Sequence, residues 1–218
     1  MEADFWLNRW RNAQIGFHQV APDKHLQAYW PTLQLPPHTR VFVPLCGKSL
    51  DLLWLMHRGH SVAGVELSSI ALEAFCLENG IPARRRALAD FDVYEADRLQ
   101  LYRGDLFKLT KSLLGEVSAV YDRAALISWA PALRSAYMTH LTSLIDPGTQ
   151  MLLIAVEYPE HEMTGPPFPL THDAIDALCA GHYLIETLGR HEILDLEPRL
   201  RARGLTELRE VVYRLKRL

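Results

Sequence analysis

The chain has 218 residues, 49% hydrophobic and 22% charged, which suits one globular domain over 1–218 with a sizeable core. A formal net charge of −3 offers no bulk attraction to nucleic acid or to an anionic membrane. The acidic opening Met1-Glu2-Ala3-Asp4 lacks the basic region of an export signal, and the longest apolar run, Met151 to Val156, is too short to span a bilayer.

Cys46, Cys76 and Cys179 are scattered, with no paired spacing and no histidine at zinc distance, so neither a disulfide framework nor a metal site is expected. His57 and His60 flank a helix end without an acidic or cysteine partner. These features point to a cytoplasmic protein, and the lack of a long apolar surface stripe points to a monomer.

The first 35 or so residues read as two helices, an appendage too short to bury a core alone. After Pro36-Pro37, Arg40 to Cys46 reads as a strand. Ser49 to Arg58 is a helix with Leu52, Leu53, Leu55 and Met56 on one face, Ser49 as its cap and Gly59 closing it. Ser61 to Leu67 is the second strand, and Ser68 to Asn79 the second helix. A charged segment, Ile81 to Arg98, interrupts the rhythm, with Arg84-Arg85-Arg86 read as a solvated turn rather than a docking patch. Leu99 to Arg103 and Val117 to Tyr121 are strands, Pro131 to Ile145 a helix, and Thr149 to Tyr158 a long buried strand. Thr171 to Ala180 is a short helix, and Tyr183 to Ile193 and Leu208 to Leu215 close the chain as an antiparallel pair. Alternating strands and helices predict a mainly parallel sheet with helices on both faces, seven strands in all.

Such a sheet binds ligands beyond the carboxyl ends of its strands, so the turn after the first strand should carry the chemistry. It reads Val43-Pro44-Leu45-Cys46-Gly47-Lys48-Ser49-Leu50-Asp51. A dinucleotide fingerprint needs more glycines than Gly47 alone. Gly47-Lys48-Ser49 imitates the end of a P-loop, but Phe42 stands where its first glycine belongs. S-adenosylmethionine needs one close backbone approach, which Gly47 allows, and an acid for its ribose hydroxyls, which Glu66 supplies at the end of the second strand. The alternative for Glu66 is a solvent-exposed strand-end glutamate.

Asp105 and Leu106, after the third strand, suit an adenine edge and ring, although Asp105 also suits a helix cap. Asp122, followed by Arg123, ends the fourth strand and is the one candidate general base, unless the two form an internal ion pair. Cys46, in a tight turn, reads as a packing residue rather than a nucleophile.

The order of these motifs resembles the thiopurine S-methyltransferase family in its bacterial form. The matching runs are Trp6-Leu7-Asn8-Arg9-Trp10, Phe17-His18-Gln19, Val43 to Asp51, Gly64-Val65-Glu66, Tyr121 to Leu126 and Gly165-Pro166-Pro167-Phe168. The resemblance covers essentially the whole chain. It implies a Rossmann-like class I S-adenosylmethionine-dependent methyltransferase: an α/β fold with a mainly parallel seven-stranded sheet, an antiparallel C-terminal strand and an N-terminal helical lid over residues 1–35. It further implies that Trp6 and Trp10 close over the cofactor, that Leu45 and Gly47 meet its methionyl end, and that Glu66 takes the ribose. Asp105 and Leu106 correspond to the adenine side, Arg123 lies between cofactor and acceptor, and Phe17 and Arg199 line the acceptor pocket. Trp6 on its own also reads as a core-packing residue.

The implied reaction moves a methyl group from S-adenosyl-L-methionine to a small thiol, leaving S-adenosyl-L-homocysteine, without a metal. Bacterial members are associated with selenium and tellurium methylation and tellurite resistance, so a chalcogen acceptor is a further expectation. The acceptor-shaping segment Ile81 to Arg98 differs from human-type members, and the Pro159 to Pro169 loop is expected to close the far side. The rival classes are a P-loop-like nucleotide-binding protein, a small-molecule O- or N-methyltransferase, a nucleic-acid methyltransferase and a non-catalytic cofactor sensor.

Overall fold

A computed structural model describes residues 3–218; Met1 and Glu2, half of the acidic opening, lie outside the described residues. The chain forms two compact units, Met1–Tyr121 and Asp122–Leu218.

The first unit begins with α1 (Ala3–Arg11) and α2 (Lys24–Tyr29), the latter running into a 3-10 turn, Trp30–Leu33. Asp23 starts α2 by accepting the amides of His25 and Leu26 at 2.8 and 3.0 Å. Next come β1 (Arg40–Pro44), α3 (Asp51–His57), β2 (Ser61–Glu66), α4 (Ser69–Glu78), β3 (Arg84–Leu88), β4 (Phe91–Ala96) and β5 (Leu99–Arg103). A short helix α5 (Lys111–Leu114) precedes β6 (Ala119–Arg123), which carries the chain into the second unit.

The strands lie in the order β3-β4-β5-β2-β1-β6. The β5-β2-β1-β6 portion is parallel, in keeping with the expected sheet. Val41, Phe42, Val62, Ala63 and Val65 are all buried, as strands covered on both faces require.

Three local expectations are corrected. Among the described residues there are nine strands, not seven, because Ile81 to Arg98 contains the antiparallel hairpin β3-β4. Arg84-Arg85-Arg86 is therefore not a turn but most of the edge strand β3. Arg85 bonds Asp92 at 2.9 Å and Arg86 bonds Glu95 at 2.7 Å, both on β4. Charge on an edge strand discourages pairing with another chain. Ser49 does not cap α3 either: Leu50 occupies that position without a side-chain bond, and the Ser49 hydroxyl accepts from the Asp51 amide at 3.2 Å.

The second unit contains α6 (Pro131–Leu144), β7 (Gln150–Glu157), α7 (His172–Cys179), β8 (Tyr183–Glu192), α8 (Pro198–Ala202) and β9 (Arg209–Arg217). Its strands run β7-β9-β8, with β9 antiparallel to both neighbours. The expected closing pair is thus present, and β9 also pairs along β7. Thr171 caps α7 through the Ala174 amide at 3.3 Å. Among the described residues no helix is long and apolar enough to cross a membrane.

Candidate functional site

β1 has β2 on one side and β6 on the other, so the direction of strand addition reverses at β1, and this is where open α/β sheets hold ligands. The turn leaving β1 is held in an unusual backbone. Leu45 has φ 48° and Gly47 φ 53°, both left-handed. Leucine in that region is strained by about 1–3 kcal/mol, and such strain gathers at functional sites.

Three bonds pin the turn. The Cys46 amide donates to the Val65 carbonyl at 3.0 Å, and the Ser49 amide to the Cys46 carbonyl at 3.2 Å. The Gly47 amide donates to Glu66 Oε2 at 3.0 Å. Glu66 Oε1 accepts the Ser68 amide at 2.8 Å, so each carboxylate oxygen is held by a separate backbone donor. Burial raises the Glu66 pKa, opposed by the backbone donors Ser68, Gly47 and Leu67. Glu66 is buried rather than a solvated strand-end residue.

Trp10 covers Gly47. A β-carbon at Gly47 would lie 3.2 Å from the Trp10 indole, which together with the positive φ disfavours any other residue there. Gly47 thus serves close approach, but by a tryptophan of the same unit. Phe17 stands edge-on to both Trp6 and Trp10, with centroids at 5.6 and 5.7 Å. The structure therefore brings Trp6, Trp10, Phe17, Gly47 and Glu66 together on one neighbourhood of the first unit. Leu45 is half-buried beside them in the same turn.

The Gly104 amide donates to the Glu66 backbone carbonyl at 2.9 Å, which sets the next turn beside the end of β2. Asp105 is exposed and accepts the Phe107 amide at 3.0 Å, starting the 3-10 turn Leu106–Lys108, while Leu106 is buried.

Two supporting contacts escaped the sequence reading, which had Ser68 only as a helix cap. Ser68 both fixes Glu66 and caps α4 through the Ala71 amide at 3.4 Å. Gly64 makes room for Cys46: a β-carbon there would come within 2.7 Å of its Sγ. The Cys46 thiol is buried, and its pKa is pushed well above the ordinary value by burial and by Glu66. The signal for Ser68 was its position, two residues past a strand-end acid and at a helix start. No local pattern marks Gly64.

The P-loop imitation fails on its lysine as well. Lys48 Nζ is bound to Glu78 at 2.7 and 2.9 Å, where a phosphate cradle needs it turned to the loop. Among the described residues, no group of three or more His, Cys, Asp or Glu is placed to hold a metal ion.

In the second unit, Asp122 is fully buried. Its Oδ1 accepts the Leu126 amide at 3.0 Å and its Oδ2 the Tyr137 hydroxyl at 2.6 Å. Burial pushes its pKa up to about 6 against these bonds. This carboxylate locks the turn after β6, where Ala124 has φ 64°, and offers no exposed oxygen for an acceptor proton. Arg123 is half-buried, and Arg199 is exposed on α8.

The fold matches solved methyltransferases. A methyltransferase from Anabaena variabilis superposes with a TM-score of 0.66 at 14% identity, covering 99% of this chain and 95% of that one. The 1,6-didemethyltoxoflavin-N1-methyltransferase of Burkholderia thailandensis, solved with S-adenosylhomocysteine, gives 0.62 at 14% identity, covering 98% and 86%. The fold is that of the Rossmann-like S-adenosylmethionine-dependent methyltransferases.

Within that class the sequence is more specific. The profile of the family described as "Thiopurine S-methyltransferase (TPMT)" matches residues 1–218. A thiopurine S-methyltransferase of Bordetella petrii is 45% identical over 217 residues, covering 100% of this chain and 99% of that one. Another from Xanthomonas campestris is 44% identical over 217 residues, covering both chains completely. The chain belongs to the thiopurine S-methyltransferase family.

Proposed function

We propose that this chain is a thiopurine S-methyltransferase, transferring a methyl group from S-adenosyl-L-methionine to small aromatic or heterocyclic thiols. The observation that carries the site is Glu66, buried with one oxygen on the Gly47 amide and the other on the Ser68 amide, beneath Trp10. Each carboxylate oxygen keeps a further lone pair, and two ribose hydroxyls are the partners such a carboxylate suits. Asp105 and Leu106 are assigned to the adenine, and Leu45 and Gly47 to the methionyl end.

The cofactor, when bound, supplies an activated methyl on a sulfonium sulfur. The chain orients the reactants and excludes water. Trp6, Trp10 and Phe17 offer aromatic faces to a positive centre. Arg123 and Arg199 are assigned to an anionic or electron-rich acceptor. No general base is assigned: a thiol already partly ionised, or a thione, needs little help in losing a proton, and Asp122 is engaged elsewhere. Selenium and tellurium species share the soft nucleophilic character and are included as acceptors.

The two units are taken to work as one methyltransferase domain. A cytoplasmic, monomeric protein without nucleic-acid or membrane partners fits its three free cysteines and balanced charge. A methyl-transfer assay over aromatic thiols, selenite, phenols and amines tests the reading. Turnover on thiols supports it, and turnover confined to oxygen or nitrogen acceptors overturns it.

A further inference from the structure

The segment from Thr164 to Pro169 holds prolines at 166, 167 and 169, which donate no backbone hydrogen bond, so it cannot secure itself by a ladder. Three side chains from separate elements secure it instead. Arg203, at the end of α8, donates Nη2 to the Thr164 carbonyl at 2.8 Å and Nη1 to that of Pro166 at 3.4 Å. The Tyr158 hydroxyl, just past β7, donates to the Pro167 carbonyl at 2.6 Å. Arg134, on α6, donates Nη2 to the Pro169 carbonyl at 2.9 Å and Nε to the Trp129 carbonyl at 3.2 Å.

Backbone bonds complete the hold. The Phe168 amide reaches the Ile127 carbonyl, and the Leu170 amide that of Val156, both at 2.8 Å. The Phe168 ring rests on Gly165, where a β-carbon would collide at 2.5 Å. Arg134 is only 4% exposed. A buried guanidinium is an expensive way to fill space compared with an apolar side chain, so what it adds is geometry. It fastens the connection after β6 to the connection after β7. Both leave the carboxyl ends of strands, the side on which such sheets hold their ligands.

We propose that Arg203, Tyr158 and Arg134 are specificity-determining positioning residues, which hold Thr164–Pro169 as a preset wall for flat aromatic or heterocyclic acceptors. The wall is fixed before the acceptor arrives. The part that concerns acceptors rests on the S-methyltransferase reading above; the part that concerns rigidity does not.

Arg203 is exposed, so replacing it spares the core. The test compares wild type, Arg203→Ala, Arg203→Lys and Arg134→Lys in three measurements: kcat/KM for an aromatic and for a small aliphatic thiol, affinity for S-adenosylhomocysteine, and amide exchange at Phe168 and Leu170. Arg203→Ala should raise KM for the aromatic thiol roughly tenfold, through the loss of its charge-assisted bonds to the Thr164 and Pro166 carbonyls. The aliphatic thiol and the cofactor product should be little affected. Lysine should restore part of the loss, since a point donor replaces a fork. In wild type both amides should be protected without acceptor, and Arg203→Ala should expose Phe168. Unaltered selectivity across these variants overturns the specificity role. Amides that become protected only when acceptor binds overturn the preset wall. If wild type methylates no thiol, the proposed function fails, while the exchange result still decides whether the wall is rigid.

Discussion

Gly47 and Glu66, 19 residues apart in sequence, are joined by an amide-to-carboxylate bond of 3.0 Å that ties the turn after β1 to the end of β2. Glu66 therefore shapes the turn before it meets any ligand. Glu66→Gln, though nearly isosteric, should destabilise the protein. The amide group can serve only one of the two backbone donors with oxygen and presents its own N–H to the other. A loss on the order of 1–3 kcal/mol is expected for one buried donor left unpaired. Urea denaturation of wild type and variant measures it; unchanged stability would mean that the Gly47 bond contributes nothing.

Asp122 makes stability depend on pH in a definite direction. Its folded pKa, about 6, lies above the ordinary 3.8, so the folded state holds this proton more tightly than the unfolded chain. The contribution is full below 3.8 and is lost as pH rises through about 6. Asp122→Asn cannot ionise, so its stability relative to wild type should improve between pH 4 and 7. Melting curves of both proteins across that range measure the difference, and parallel profiles would contradict it.

His60 behaves oppositely. The Trp30 indole donates to its Nε2 at 3.0 Å, which fixes a neutral ring, and burial lowers its pKa from 6.5. Stability from this pair is present above 6.5 and falls as pH drops through the folded pKa. His60→Phe should be less stable at pH 8, where the Trp30 N–H loses its acceptor, and should show a smaller acid-side decline. Denaturation at pH 8 and pH 5 checks both halves.

Gly64 and Cys46 should couple. Gly64→Ala places a methyl 2.7 Å from Cys46 Sγ and 2.9 Å from Leu101 Cδ2, costing about 1–3 kcal/mol by overpacking. In a Cys46→Ala background the sulfur is gone, and the cost should fall by part of that amount. A double-mutant cycle in denaturant gives the coupling. Cys46→Ala should also retain methyl transfer, because the thiol packs and does not react.

Where local chemistry coincided with tertiary structure, the sequence was readable. Ser68 and Asn79-Gly80 bracket α4 because a hydroxyl cap and a terminating glycine act on their own helix. The β3-β4 hairpin was hidden for two reasons. Every residue from Arg84 to Ala87 on β3 is exposed, so no apolar alternation marks that strand. Its two-residue turn places Ala89 at φ 51°, where the recognisable signals would be glycine or asparagine. At the site, Gly47 and Glu66 stood out from spacing, but their mutual bond and the Trp10 contact did not. These join residues brought together only by the parallel pairing of β1 with β2 and by the placement of α1. Asp122 looked reactive because a strand-end carboxylate is the same letter whether it faces solvent or a buried tyrosine.

The most direct measurement is calorimetric titration of S-adenosylhomocysteine into wild type and Glu66→Ala, with magnesium-ATP as the parallel ligand. Wild type should bind one S-adenosylhomocysteine per chain and no ATP, with affinity falling at least tenfold in a Glu66→Ala protein that remains folded. Binding of ATP instead, or equal affinity for S-adenosylhomocysteine in both proteins, would contradict a cofactor site built around Glu66.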